Sequence, residues 1–507
     1  MPVDLLGGYA ASQPDKPAVI DDRPGQQTVV LTFAELDRRA NQLAHLFVGL
    51  GVGRGTKVVW CGQNSAGVLT VMHAIRRVGA VGVPLNYRLT ADEAAYVVDN
   101  SDAEVVYVDA AHAPLIEGIR TRTPTVRELC VFDGDGDLEE VLDSMPVDPP
   151  LEDPGPPATM TYTSGTTGRP KGALRSAVYD PKSAVGLIAR IGYVPDDVYL
   201  TTGPLYHSGP GSFATIAHSM GNTVVCQHKF DPEDWLRLVH TYQVTTTFTA
   251  PTPIRMVCSL PEEVKARYDR SSMRRLVANA APWTMNLKLM YMAEFPPDSL
   301  WEVYGSTELG VDTVLGPDEH LLKPGSCGRP APGVELKLFD EAGGEITEPH
   351  RTGELYIRSP SAFSAYYKAE DKYRAVTRGE FHTVGDVAYF DEDGYFYIAD
   401  RKNDMIITGG MNVYPAEVEA ALDSCPDIYE VAVFGRPDDD WGEVVHAVVV
   451  PARAGVTAEE VTAYARAHLA GYKIPRSVSF AAELPKTGSG KVLKRELRRD
   501  LEAGSAG

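Results

Sequence analysis

The chain has 507 residues, with 44% hydrophobic and 23% charged positions, an ordinary balance for a globular protein with sizeable cores. At about 100–200 residues per domain, this length predicts two to four structural units. Lys and Arg number 48 against 69 Asp and Glu, and a net charge of −21 repels a phosphate backbone, so general nucleic-acid binding is not expected.

The start, MPVDLLGGYAASQPDKP, lacks a basic region and an apolar core, so no signal peptide is expected. No apolar run approaches the ~18–20 residues of a membrane span, and the end, LEAGSAG, carries no lipidation or peroxisomal address. Six cysteines (Cys61, Cys130, Cys226, Cys258, Cys327, Cys425) lie far apart with no CxxC pair. They read as reduced thiols, and the expected location is the cytoplasm.

In the first third, Thr32 with Glu35 forms a capping box. Leu36, Ala40, Leu43 and Phe47 follow at helical spacing, and Gly51 closes the helix. Val58-Val59-Trp60 reads as a buried strand. A second capping box, Thr90 with Glu93, precedes the strand Val105–Val108. Such alternation predicts parallel strands with helices on their faces. A Pro-rich connector, Pro149 to Pro157, leads into the strand Ala158–Tyr162. From about 245 to 400, short alternating runs such as Glu335–Phe339 and Glu354–Ile357 suggest added β structure. Asp393-Gly394 reads as a hairpin turn rather than a calcium loop, whose other ligands are missing. After about residue 402 comes a compact unit with a helix from Pro415, strands at Val431–Phe434 and Val444–Val450, and a helix from Thr457 capped with Glu460. A strand near Val478 and a last helix from Lys491 complete it.

The stretch Thr163-Ser164-Gly165-Thr166-Thr167-Gly168-Arg169-Pro170-Lys171-Gly172 carries the most chemistry. Its glycines let successive N–H groups point at one anion, its hydroxyls add donors, and Lys171 supplies a cation: a polyphosphate cradle. It is not a Walker A loop, because Pro170 stands where that motif demands Gly. Four further motifs follow in order: Tyr304-Gly305-Ser306-Thr307-Glu308, Gly385-Asp386, Arg401, and Pro485-Lys486-Thr487-Gly488-Ser489-Gly490-Lys491.

Together these motifs resemble those of the adenylate-forming superfamily, which includes acyl-CoA synthetases, firefly luciferases and the adenylation domains of peptide synthetases. The resemblance spans essentially the whole chain. It implies an α/β fold with a large N-terminal domain of mixed α/β layers and added β structure (1–402), plus a small mobile C-terminal α+β domain (403–507). It implies that ATP lies on Thr163, Ser164, Gly165, Thr166, Thr167, Gly168 and Lys171, with Thr166 among the catalytic groups. Tyr304 stacks on adenine, Thr307 touches the α-phosphate, Gly305 and Ser306 belong to the same nucleotide-binding motif, and Asp386 and Arg401 hold the ribose. Glu308 binds Mg²⁺ with Thr163 as a second ligand, and Lys491 is the catalytic lysine.

By the same resemblance Asn403 is the hinge, where the family more often has Asp or Lys. Gly409 and Gly410 line the pantetheine tunnel, and Trp441 accompanies them in CoA users. His207 stands beside the substrate carboxylate in a pocket with Gly209, Asn279 and Ala280. The small residues Ser208-Gly209-Pro210-Gly211 suggest a roomy floor. Asn279 and Trp283 depart from the family pattern.

The expected activity is an acid–thiol ligase: an ATP-dependent acyl-CoA synthetase that activates an apolar fatty or ring-containing carboxylic acid as acyl-AMP, then transfers it to CoA. Its expected partners are the acid, ATP, Mg²⁺ and CoA, and a homodimer is compatible with it. The alternatives are an enzyme of one half-reaction and a non-catalytic acyl- or nucleotide-binding protein. The second predicts loss of Lys171, Glu308, Asp386 or Lys491, and none is lost. The end of the chain suggests no carrier-protein segment of a peptide synthetase, and no GxSxG elbow supports a hydrolase.

Overall fold

The computed structural model describes residues 5–151, 153–163, 169–176, 181–402, 404–438, 440–487 and 491–504. Three sheets build a large N-terminal domain and one a small C-terminal domain, in mixed α/β architecture. In a seven-stranded sheet, Val81–Leu85, Lys57–Cys61, Ala103–Asp109 and Glu128–Phe132 run parallel, as the helix–strand alternation predicts. Ala158–Thr163 joins them in parallel and turns back antiparallel into Lys171–Ser176, so the Gly/Thr stretch connects two paired strands. A nine-stranded sheet carries the parallel strands Val198–Thr201, Thr246–Thr249, Arg275–Ala278 and Leu300–Ser306.

The helices Phe33–Gly49 and Ala66–Arg77 lie in one core with residues of both sheets. Leu36, Leu43, Phe47, Val68 and Val71 are fully enclosed with Val58, Val105 and Val224. Each starts at a satisfied cap. Thr32 accepts from Glu35 N while the Glu35 carboxylate accepts from Thr32 N, an arrangement worth about 1 kcal/mol. The boxes at Thr90–Glu93 and Thr457–Glu460 form in the same way.

The third sheet is antiparallel and holds Glu335–Phe339, Gly353–Arg358, Asp386–Phe390 and Phe396–Arg401. The hairpin at Asp393-Gly394 is present, and Asp391 and Asp393 both accept from the Lys323 amine, which explains their clustering without a metal. The small domain contains Ile406–Thr408, Met411–Val413, Ile428–Asp438, Gly442–Pro451 and Ser477–Phe480. Its last helix begins at Lys494, not at Lys491 as the sequence suggests. Lys486 and Val492 form an antiparallel bridge, Thr487 N donates to Lys491 O (2.8 Å) and Leu493 N to Pro485 O (2.8 Å). Lys491 therefore sits in a tight loop despite the helix-favouring basic run that follows. All six cysteines are buried.

Candidate active site

Parallel strands leave a crevice beyond their carboxyl ends, where three of the predicted segments end. Thr163 ends one strand, Tyr304 to Ser306 end another, and Asn279 follows a third. Ser164, Gly165, Thr166, Thr167 and Gly168 lie outside the described residues, as do Asn403 and Gly488 to Gly490.

The buried carboxylate of Glu308 is the meeting point. Its Oε1 accepts from the Thr163 hydroxyl (3.0 Å) and the Tyr366 hydroxyl (3.1 Å). The Lys171 amine stands 4.9 Å from the centre of the Tyr366 ring. Burial lowers the Lys171 amine from its ordinary value, Lys372 adds to this, and Glu308 opposes it. Thr307 is held at both ends: Arg175 donates to its carbonyl (2.6 Å), and its hydroxyl shares a hydrogen bond with Ser208 (2.8 Å). Ser306 Oγ is engaged within the turn, accepting from Leu309 N (3.1 Å). Gly305 is required by the hairpin itself, since a Cβ there would meet Gly310 O at 1.9 Å.

A second cluster on the large domain faces Lys491 of the small one. Tyr304 donates its phenol to Asp386 Oδ2 (2.5 Å), and Arg401 Nε stands 3.4 Å from Asp386 Oδ1. Burial, then the Asp386 charge, pushes the Tyr304 phenol well above the usual range. The Lys491 amine lies in the field of Arg401, Asp386, Asp404 and Lys494. Burial lowers it to about 8, Arg401 adds to the fall, and Asp386 and Asp404 work against it. The loop is clamped at its base, where Lys486 Nζ donates to both oxygens of Glu430 (2.6 and 2.8 Å).

Among the described residues no three His, Cys, Asp or Glu are grouped to hold a metal. The donors present do fit Mg²⁺, a hard cation that takes one or two protein oxygens and keeps its waters: both hydroxyls converge on Glu308 Oε1, and no described residue donates to Oε2.

The residues expected at the acid pocket are enclosed by their neighbours to different degrees. His207 is half-buried against the Tyr206 ring (centroids 4.4 Å apart), and its Nε2 has no partner among the described residues. Burial, with Arg88, lowers it to about 4, so it is neutral at pH 7. The space vacated by Gly209 is not roomy: a Cβ there would meet Phe248 Cζ at 2.5 Å, and Phe248 stacks on Phe213 at 4.7 Å. Gly211 likewise faces the Leu205 carbonyl at 2.7 Å from a would-be Cβ. Asn279 is tied into backbone. Its Nδ2 donates to Val303 O (2.6 Å) and its Oδ1 accepts from Ala280 N. Ala280 has φ +74°, a strained position for a residue with a side chain. Trp283 is only 4% exposed and belongs to the core with Trp235, Tyr291 and Leu287, so it does not line a pocket.

Gly409 and Gly410 are the two central residues of the hairpin between Ile406–Thr408 and Met411–Val413. Both have positive φ (+56° and +78°), the signature of a primed two-residue turn. Gly409 N donates to Trp441 O (2.8 Å), and a Cβ at 409 would meet Trp441 Cε3 at 2.6 Å. At 410 a Cβ would meet nothing within 4 Å. Trp441 is 43% exposed with Arg476 over its ring at 4.0 Å.

Sequence reasoning missed Arg175 and Tyr366. Arg175 shares a strand face with Lys171 and Ala173, and a period-two count would have flagged a second cation on that face. Tyr366 comes from far along the chain and has no local signal.

A family profile described as AMP-binding enzyme matches residues 8–367, and one described as AMP-binding enzyme C-terminal domain matches residues 417–491. The chain is 36% identical over 477 residues to a feruloyl-CoA synthase of Amycolatopsis sp, covering 92% of this chain and 94% of that protein. It is 35% identical over 480 residues to an indoleacetate–CoA ligase of Aromatoleum aromaticum, covering 92% and 93%. Among solved structures, the anthranilate CoA ligase AuaEII in complex with anthranoyl-AMP superposes with a TM-score of 0.89 at 26% identity, covering 99% of this chain and 98% of that one.

Proposed function

The chain belongs to the AMP-binding enzyme family and is an AMP-forming acid–thiol ligase; from that premise we propose an acyl-CoA synthetase that activates an apolar carboxylic acid, ring-containing acids foremost, and passes it to CoA after the small domain turns. The observation that carries this reading is the half-buried Lys491, whose amine lies in the field of Asp386 and Arg401, beside the Tyr304–Asp386 hydrogen bond. The aromatic acids named for the relatives favour a planar, apolar acid. We place the domain boundary after Lys402, with Asn403 as the pivot.

A carboxylate acylates poorly because its leaving group is an oxide. Its attack on the α-phosphate of ATP releases pyrophosphate and gives a mixed anhydride, but it brings two anions together, so the site must neutralise charge. Lys491 supplies a cation at the α-phosphate, Asp386 and Arg401 orient the ribose, and Lys171 follows the departing pyrophosphate. Glu308 and Thr163 would hold a Mg²⁺, which supplies further charge neutralisation when bound. No protein nucleophile is needed; placement and electrostatics provide the rate. Neutral His207 offers an unpartnered nitrogen to the acid without adding a second charge.

The charge on Lys491 sets a pH expectation. With its amine at about 8, it is an ammonium below that pH and neutral above it. For the adenylation half-reaction, kcat/KM for ATP should fall as pH rises through about 8, and CoA transfer from a supplied acyl-AMP should show no such limb. His207, at about 4, should add no transition near pH 6.5.

The functional test is incubation of the purified protein with ATP, Mg²⁺, CoA and a panel of acids from acetate through long fatty acids to aryl and heteroaryl acids. Mass spectrometry reads both acyl-AMP and acyl-CoA. Acyl-CoA from an aryl acid is the expected result. Acyl-AMP without acyl-CoA would redirect the proposal to another acceptor.

A further inference from the structure

One carboxylate of the small domain is buried against the large one. Asp423 is the last residue of the helix Pro415–Asp423, where the negative end of the helix dipole disfavours an acid. It is nevertheless only 4% exposed. Its Oδ1 accepts from Arg255 NH2 (2.8 Å) and its Oδ2 from the Thr284 hydroxyl (2.6 Å), both on the large domain. The backbone joins in: Asn286 Nδ2 donates to Asp423 O (3.2 Å), and Arg255 NH1 to Tyr429 O (3.3 Å). Thr284 also caps the helix Met285–Glu294, accepting from Leu287 N (3.3 Å). The Asp423 carboxylate thus faces the positive end of one helix and a buried guanidinium, and both compensate for its place at the negative end of its own helix.

We propose that Asp423 is a positioning residue for adenylation: through Arg255 and Thr284 it latches the small domain in the orientation that presents Lys491 to Asp386. This rests on the reading above in which that domain turns between half-reactions. These four contacts must break for it to turn. Arg255, 8% exposed in the docked state, then loses its counter-charge, while Asp423 regains water. Removing the charge from Asp423 penalises the docked state alone, because there Arg255 stays buried without a partner charge. The latch also sits next to the acid-pocket segment, since Thr284 directly follows Asn279 to Trp283 in the chain.

The test uses the full chain carrying Asp423→Asn, with Arg255→Met as a second variant acting in the same direction. Acid-dependent ATP–pyrophosphate exchange should fall about tenfold or more, while CoA thioester formation from a supplied acyl-AMP is retained or rises. Equal loss in both half-reactions, or exchange within twofold of the parent, overturns the latch. Spin labels on Leu289→Cys and Phe480→Cys, both exposed sites in a protein whose own cysteines are buried, read docking without any acid. The parent should show one dominant separation and Asp423→Asn a second population; an unchanged distribution also overturns the proposal. If the acid panel is silent but the separations shift, the activity assignment fails and the latch stands.

Discussion

Lys491→Ala should lower the adenylation half-reaction by about 10²–10³-fold while leaving thioester formation from a supplied acyl-AMP within about threefold of the parent. The magnitude is that of removing one preorganised charge from a developing anionic centre. The fold should survive, because the loop is held by backbone bonds from Thr487 and Leu493 and by the Lys486–Glu430 clamp, none of which uses the Lys491 side chain. The amine forms no ion pair with a described residue and is lowered mainly by burial, so its removal relieves a desolvated charge. Pyrophosphate exchange and single-turnover acyl transfer, measured on the same preparation, separate the two steps. Equal losses in both would mean that the lysine loop stays in place throughout the cycle, and the turning-domain account would fall.

Gly409→Leu should do the reverse, with CoA transfer falling by about 10²-fold and a single turnover of pyrophosphate release persisting. Position 409 has both a positive φ and a neighbour at 2.6 Å, the Trp441 ring, so a side chain must displace that ring. Gly410 makes the informative control. Its φ is also positive, but its Cβ position is open, and Asn tolerates that backbone region. If the pair is only a hairpin turn, Gly409→Leu and Gly410→Asn should differ in stability alone. If it borders the path of the thiol, Gly410→Asn should keep CoA turnover within a few-fold while Gly409→Leu loses it.

Local signals in the sequence were legible because each is closed within one turn of chain. The three capping boxes each join residues three apart, and every one of them forms. The described motif residues come together in pairs, Thr163 with Glu308 and Tyr304 and Arg401 with Asp386. What could not be read is decided by distant neighbours. The room beside Gly209 is taken by Phe248, and Asn279 spends its amide on Val303, a strand away. The start of the last helix is set by a bridge between Lys486 and Val492 that no helical periodicity reveals. Tyr366 and Arg175 reach the site only through sheet pairing and burial.

The buried cysteines bear on chemical self-protection. A mixed anhydride acylates any thiolate within reach, and CoA, the intended acceptor, is itself a thiol. Burial pushes Cys130, Cys258 and Cys327 up to about 12, and Cys61 and Cys226 further, so these groups hold their protons at neutral pH. An acyl-AMP formed on this protein therefore meets no competing sulfur nucleophile among them. The same burial keeps them from mixed disulfides with CoA, and the enzyme should emerge from prolonged turnover with these five thiols unmodified.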